Sequence, residues 1–211
     1  MKLTKEKAAE NRQSVIETAG RLFREHGFDG IGVADVMKAA GFTHGGFYNH
    51  FSSKAALAAE AASLGMKDSQ SKLTDVLMKE QTPGSSGLAK HVEYYLSPQH
   101  RDDRAGGCTI ASLAGDAARG NEEIQAGFAP GIEDELNILA SYFAKSDSKD
   151  QGSALSARER AIQLVSELAG AVILARAVAH ANPSLSDQIL QVTRRHLLGK
   201  QATRKRSRRR R

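Results

Sequence analysis

The chain has 211 residues, 40% hydrophobic and 26% charged, with no tryptophan and one cysteine, Cys108. That length buries a core of its own, and one cysteine excludes an internal disulfide framework and a four-cysteine zinc site. The charged first residues lead into no apolar signal region, and the uncharged run Leu168–Ala175 is too short to cross a bilayer, so a cytoplasmic protein without a membrane partner is expected. The net charge of +6 divides into +2 over residues 1–54, −4 over 55–199 and +8 over 200–211, the pattern of a nucleic-acid binder with an acidic second domain.

Helical spacing recurs along the chain, and no stretch alternates as a strand does. Val15, Ile16, Ala19, Leu22 and Phe23 form one apolar helix face, ended by Gly27. Val33, Val36, Met37 and Ala40 define a short second helix closed by Gly41. A third runs from His44 to Phe51. Ser53 caps a fourth that continues to about Glu80. The cluster 82–87 is a turn. Leu88–Leu96 is helical and is broken by Ser97-Pro98. Helices follow at Thr109–Arg119 and at Glu122–Ala144, where Pro130 marks a bend or a new start. A polar loop spans 146–152. Ser156 caps a long helix to about His180, and Ser184 a last one to about Leu198. The fold expected is all-α, with nine or ten helices. Residues 1–54 form a head, 55–199 a larger helical domain and 200–211 a disordered basic tail, which adds nonspecific affinity for phosphates if it binds at all.

Residues 33–51 have the layout of a helix-turn-helix. Gly41 permits a left-handed turn without a Cβ clash, and Thr43 stands where an N-cap hydroxyl serves the second helix. That second helix is the one expected in the major groove. Its first residues are Thr43, His44, Gly45 and Gly46. The two glycines offer no side chain to base edges, so direct readout falls on Thr43, His44 and Asn49, with shape and water-mediated readout beside it.

The series Arg12, Ile16, Ala19, Leu22-Phe23, Gly27-Phe28-Asp29-Gly30, Val33, Val36, Ala40-Gly41, Thr43, Gly46 through Phe51, Ser53-Lys54 and Leu57 resembles the N-terminal domain of TetR-family transcriptional repressors. The resemblance spans roughly residues 10–60. It implies a three-helix DNA-binding domain, a helical ligand-binding and dimerisation domain, and a homodimer on a near-palindromic double-stranded operator. It also implies that Thr43, Tyr48, His50 and Lys54 contact phosphates. A phenol, an imidazole and an ammonium all donate to phosphate oxygens, and Lys54 opens a helix. The chain departs from the family at Ile31-Gly32, where a hydroxyl residue often precedes the second helix.

In the second domain, fourteen of the nineteen residues Ala161–Ala179 are apolar. Such a helix packs inward on one side and on a partner with another. Leu168, Ala169, Val172 and Arg176, with Ile189 of the last helix, are the expected faces of a four-helix dimer interface. Between Gly87 and Phe143, the residues Tyr94, Tyr95, Ile110, Leu113, Phe128, Ile132 and Leu136 supply an apolar wall for a small-molecule inducer of unread identity. Cys108, next to a helix N-terminus, is either a packing thiol or a redox sensor whose covalent modification releases DNA. No cofactor or metal is expected, because His91, His100 and Cys108 fit no zinc spacing. No HExxH, P-loop or GxSxG motif is present either. The alternatives of other classes are an enzyme with a helical basic head, which would turn over its small molecule, and an architectural DNA-binding protein without a ligand response.

Overall fold

The computed structural model describes residues 4–78, 86–147 and 155–208. Its helices are α1 (Lys5–His26), α2 (Val33–Ala39), a 3₁₀ segment (His44–Asn49), α3 (Lys54–Met78), α4 (Gly87–Tyr95), α5 (Pro98–Asp102), α6 (Thr109–Arg119), α7 (Glu122–Asp147), α8 (Ala157–Val178) and α9 (Pro183–Arg208). Among the described residues no strand occurs, so the chain is all-α.

Local chemistry accounts for most helix ends. The Thr4 hydroxyl accepts from the Lys7 amide, and Gly27 closes α1 with φ of 79°. Gly41, at φ 83°, lets the Phe42 amide return to the Met37 carbonyl. Ser156 and Glu159 cap each other at the start of α8. Asn182 caps α9 by accepting from Leu185, in the place expected of Ser184.

Several expectations need correction. His44–Asn49 winds as 3₁₀ rather than as an α-helix to Phe51. Gly45 and Gly46 each cost the α form about 1 kcal/mol, and six residues give too few hydrogen bonds to offset it. Thr43 stands at the N-cap of this segment, but its side chain makes no capping bond. Ser97 caps an additional short helix, α5, where only a break was expected. Pro130 lies inside α7 without ending it. The basic tail continues α9 as helix to Arg208, since extending an existing helix through good helix formers such as Lys, Arg, Gln and Ala is cheap. Residues 82–85, 148–152 and 209–211, which carry parts of the expected turn, loop and tail, lie outside the described residues.

The chain folds as two compact units. One comprises residues up to Ser69 with Arg104–Ile132, and the other Gln70–Asp103 with the residues from Glu133 onward. Their limits thus differ from the expected division at residue 54. The first unit extends further because α6 and the start of α7 join its core. Phe28 lies edge-on between Phe23 (5.3 Å) and Phe128 (6.3 Å), and Arg24 Nε donates to the Ala105 carbonyl at 2.7 Å. In the second unit, α8 packs on α4, α5 and α9. Its inward stripe is Ala161, Leu164, Leu168, Val172 and Ala175, and the buried Ser186 hydroxyl of α9 donates to the Ala175 carbonyl. By length and composition α8 alone among the described helices could cross a bilayer, which the shorter apolar run did not suggest.

Candidate nucleic-acid interface

The first unit presents its expected DNA-contacting residues on one short stretch. Thr43, His44, Gly45, Tyr48 and Asn49 are exposed, and His50 and Lys54 are half-buried. Phe47 is buried and stacks on Phe51 at 5.4 Å, so the i, i+4 pair is core. The Tyr48 ring stands edge-on to both Phe47 (5.2 Å) and His44 (6.0 Å). With Phe47 anchored inward, the neighbouring Tyr48 is turned outward and is 68% exposed. An apolar ring held this far in water has its hydroxyl free for an external acceptor.

Behind the segment, Arg12 of α1 joins three parts of the head. Its Nη2 meets Glu60 Oε1 at 2.5 Å, its Nε donates to the His50 carbonyl at 3.4 Å, and its guanidinium lies 4.7 Å above the Phe51 ring. These contacts tie the end of the 3₁₀ segment to α1 and α3. Arg12→Ala is expected to lower the melting temperature through a loss of about 1 kcal/mol, and to weaken DNA binding by loosening His50. Calorimetry and a DNA titration of the same variant check both.

Ser53 Oγ accepts from the Ala56 amide at 2.8 Å and so caps α3, as expected. Its hydroxyl also lies 3.2 Å from Glu123 Oε2 in the first turn of α7. Lys54 is the first residue of α3, so its ammonium and the unpaired first-turn amides of that helix favour an anion. Neither Glu60 nor Glu123 is marked by the sequence pattern. Both are acids on ordinary helix surfaces, and their partners are distant in sequence.

The residues expected to line an inducer cavity divide between the units. Ile110, Leu113, Phe128 and Ile132 belong to the first, and Tyr94, Tyr95 and Leu136 to the second. Tyr94 is exposed, Ile132 half-buried and the rest buried. In the second unit Tyr95 packs against His100 at 4.5 Å and His91 at 5.6 Å. Burial, with a smaller repulsion from His100, lowers the His91 pKa to about 4. Glu135, next to Leu136, is buried and makes no hydrogen bond or ion pair among the described residues. Burial alone raises its pKa to about 7. The signal for it was an acid among Ile132, Leu136 and Leu139 on one helix face. Cys108 is buried, 8% exposed, at the N-cap of α6. No cluster of three metal-ligating side chains occurs among the described residues.

The dimer-interface residues need correction. Leu168, Ala169 and Val172 are buried within the chain itself, and Val172 is fully so. Arg176 donates to the carbonyls of His100 (3.1 Å) and Arg101 (2.9 Å), so it fastens α5 to α8. Ile189 is half-buried. The apolar side chains that α8 and α9 leave exposed are Ile162, Ile173, Leu174, Leu185 and Val192.

Residues 15–61 match the family model described as bacterial regulatory proteins, tetR family. The transcriptional regulator AcrR of Shigella flexneri is 40% identical over 57 residues, which cover 27% of this chain and 26% of AcrR. A TetR-family regulator from Cytophaga hutchinsonii shares the fold with a TM-score of 0.72 at 20% identity, over 94% of this chain and 98% of that one. The reduced form of Escherichia coli NemR also has a TM-score of 0.72, at 18% identity, over 89% and 94% of the two chains. Residues 15–61 thus carry a TetR-type helix-turn-helix head, and the chain has a fold like that of TetR-family regulators. The family and the relatives matched are regulators, not enzymes. The match to AcrR is confined to about a quarter of either chain.

Proposed function

We infer that the chain is a cytoplasmic transcriptional repressor, which binds a palindromic double-stranded operator as a homodimer and leaves it when a small-molecule inducer binds. The observation that carries this reading is the exposed stretch from Thr43 to Asn49, backed by buried Phe47 and Phe51 and followed by Lys54 at a helix start. Tyr48, His50, Lys54 and Thr43 hold phosphates. His44 and Asn49 read base edges. Phosphate contacts fix register without carrying sequence information. Lys54→Ala and Tyr48→Phe are therefore expected to weaken operator and unrelated duplexes by the same factor, whereas His44→Ala relaxes base preference by about 1–3 kcal/mol at particular positions. Competition titrations with single-base operator variants distinguish the two. An altered operator preference in Lys54→Ala would overturn the phosphate role.

Two protomers place recognition segments about 34 Å apart, one turn of DNA, for paired half-sites. The exposed side chains Ile173 and Leu174 of α8 and Val192 of α9 supply the self-complementary apolar face that such a dimer needs.

Release by a noncovalent inducer near Tyr95 and Leu136 is favoured over covalent control at Cys108, because the thiol is buried. Treating the wild type and Cys108→Ser with hypochlorite checks this. Equal DNA retention supports noncovalent control, and release of the wild type alone would support the thiol.

A further inference from the structure

We propose that Glu123 is a built-in competitor of the DNA backbone: its carboxylate, hydrogen-bonded to Ser53 at the N-terminus of α3, stands at the phosphate clamp and holds down the affinity of the head for DNA. This rests on the reading of Lys54, at the start of α3, as a phosphate contact.

Three observations on one helix pair support it. Ser53 Oγ is already committed as the α3 cap through the Ala56 amide, so its proton is directed elsewhere, and the group it meets is Glu123 Oε2 at 3.2 Å. A carboxylate and a phosphate diester are both anions that accept from the same hydroxyl, ammonium and amide donors. Lys54 follows Ser53 directly, so an approaching phosphate meets a site that already contains a negative charge. Glu123 is also held there by packing. Gly127 and Gly131 follow it at successive steps of four and therefore share its face of α7. That face lies close on α3. A Cβ at Gly127 would fall 2.8 Å from the Ala59 Cα and Cβ, and one at Gly131 would fall 2.5 Å from the Met66 sulfur. The two glycines thus bring α7 close to α3, Gly127 over the Ala59 backbone and Gly131 over the Met66 side chain, with the carboxylate aligned on the capped end.

The arrangement has a direct consequence for control. Phosphate binding at α3 and the Ser53–Glu123 contact oppose each other. A shift of α7 along its glycine face withdraws or advances the charge. Because coupling is reciprocal, whatever favours one position of α7 changes DNA affinity, and DNA changes the preference of α7.

The test compares Glu123→Gln with Glu122→Gln in the full-length protein. Both remove one charge from the first turn of α7, but only position 123 reaches Ser53, and glutamine still accepts the Ser53 hydrogen bond. Affinity is measured by fluorescence anisotropy on the upstream duplex and on a random duplex, at low and at physiological salt. Glu123→Gln is expected to bind both duplexes about three- to tenfold more tightly at low salt, with a smaller gain at higher salt. Glu122→Gln is expected to change affinity less than about twofold, as for a screened surface charge. A role confined to stapling the helices predicts a lower melting temperature and no gain in affinity. If Glu123→Gln binds no more tightly than Glu122→Gln while the wild type binds DNA, the inference is overturned and the DNA-binding reading stands. If the wild type binds neither duplex, both are overturned.

Discussion

Val172→Glu abolishes folding, whereas Leu174→Glu gives a folded monomer. The two residues are neighbours on α8, and only their direction differs. Val172 is fully buried on the inward stripe, and Leu174 is 59% exposed. A carboxylate at position 172 has no room, and Arg176 one turn on is already engaged by the His100 and Arg101 carbonyls; the price of an unpaired buried charge is several kcal/mol, comparable with the whole stability of an ordinary domain. At position 174 the same carboxylate remains in water in the monomer. It is desolvated only if two α8 helices meet, so the cost falls on association. Circular dichroism and sedimentation velocity together separate the outcomes. A Leu174→Glu protein that remains dimeric would move the interface off this face, and a folded Val172→Glu would contradict the packing of α8.

Glu135→Gln stabilises the protein above neutral pH. The buried carboxyl is raised from its ordinary range to about 7, by loss of solvent and with no compensating partner. Because its folded-state pKa lies above the unfolded one, the protonated acid favours the fold fully at pH below about 4.5. That contribution is lost as pH rises through about 7. A shift of this size corresponds to about 3–4 kcal/mol at most between the two limits. Glutamine keeps the shape and never ionises, so the variant loses none of this at pH 8. His91 opposes the trend below pH 6.5. Its pKa is lowered to about 4, so its contribution is present above 6.5 and fades as pH falls toward 4. Urea melts of the wild type and Glu135→Gln at pH 5 and pH 8 check the sign. An equal loss between the two pH values in both proteins would contradict the burial argument.

The parts that sequence made legible depend on local chemistry. Gly27, Gly41, Ser53 and Ser156 mark helix ends by their own properties, and each serves so. The i, i+4 pair Phe47 and Phe51 pointed to a packed segment for the same reason. Where local chemistry does not decide, the pattern misleads. Ala161–Ala179 is apolar on nearly every side, so its pattern has no phase. Only packing on α9 and α5 shows that Leu168 and Val172 face inward and Ile173 and Leu174 outward. Two glycines in a six-residue segment converted an expected α-helix into 3₁₀. Glu123 and Glu60 acquire their meaning from Ser53 and Arg12, 70 and 48 residues away.

Sequence-specific DNA binding by a dimer can be followed in one titration. A labelled duplex from upstream of its own coding region is titrated with the purified chain, over a series of salt concentrations, beside a scrambled duplex of equal length. Two protomers per site and a linear fall of log affinity with log salt are expected on both duplexes. The upstream duplex is expected to be preferred by roughly a thousandfold or more. Equal affinity for the two duplexes, or saturation at one protomer per site, would contradict sequence-specific binding by a dimer.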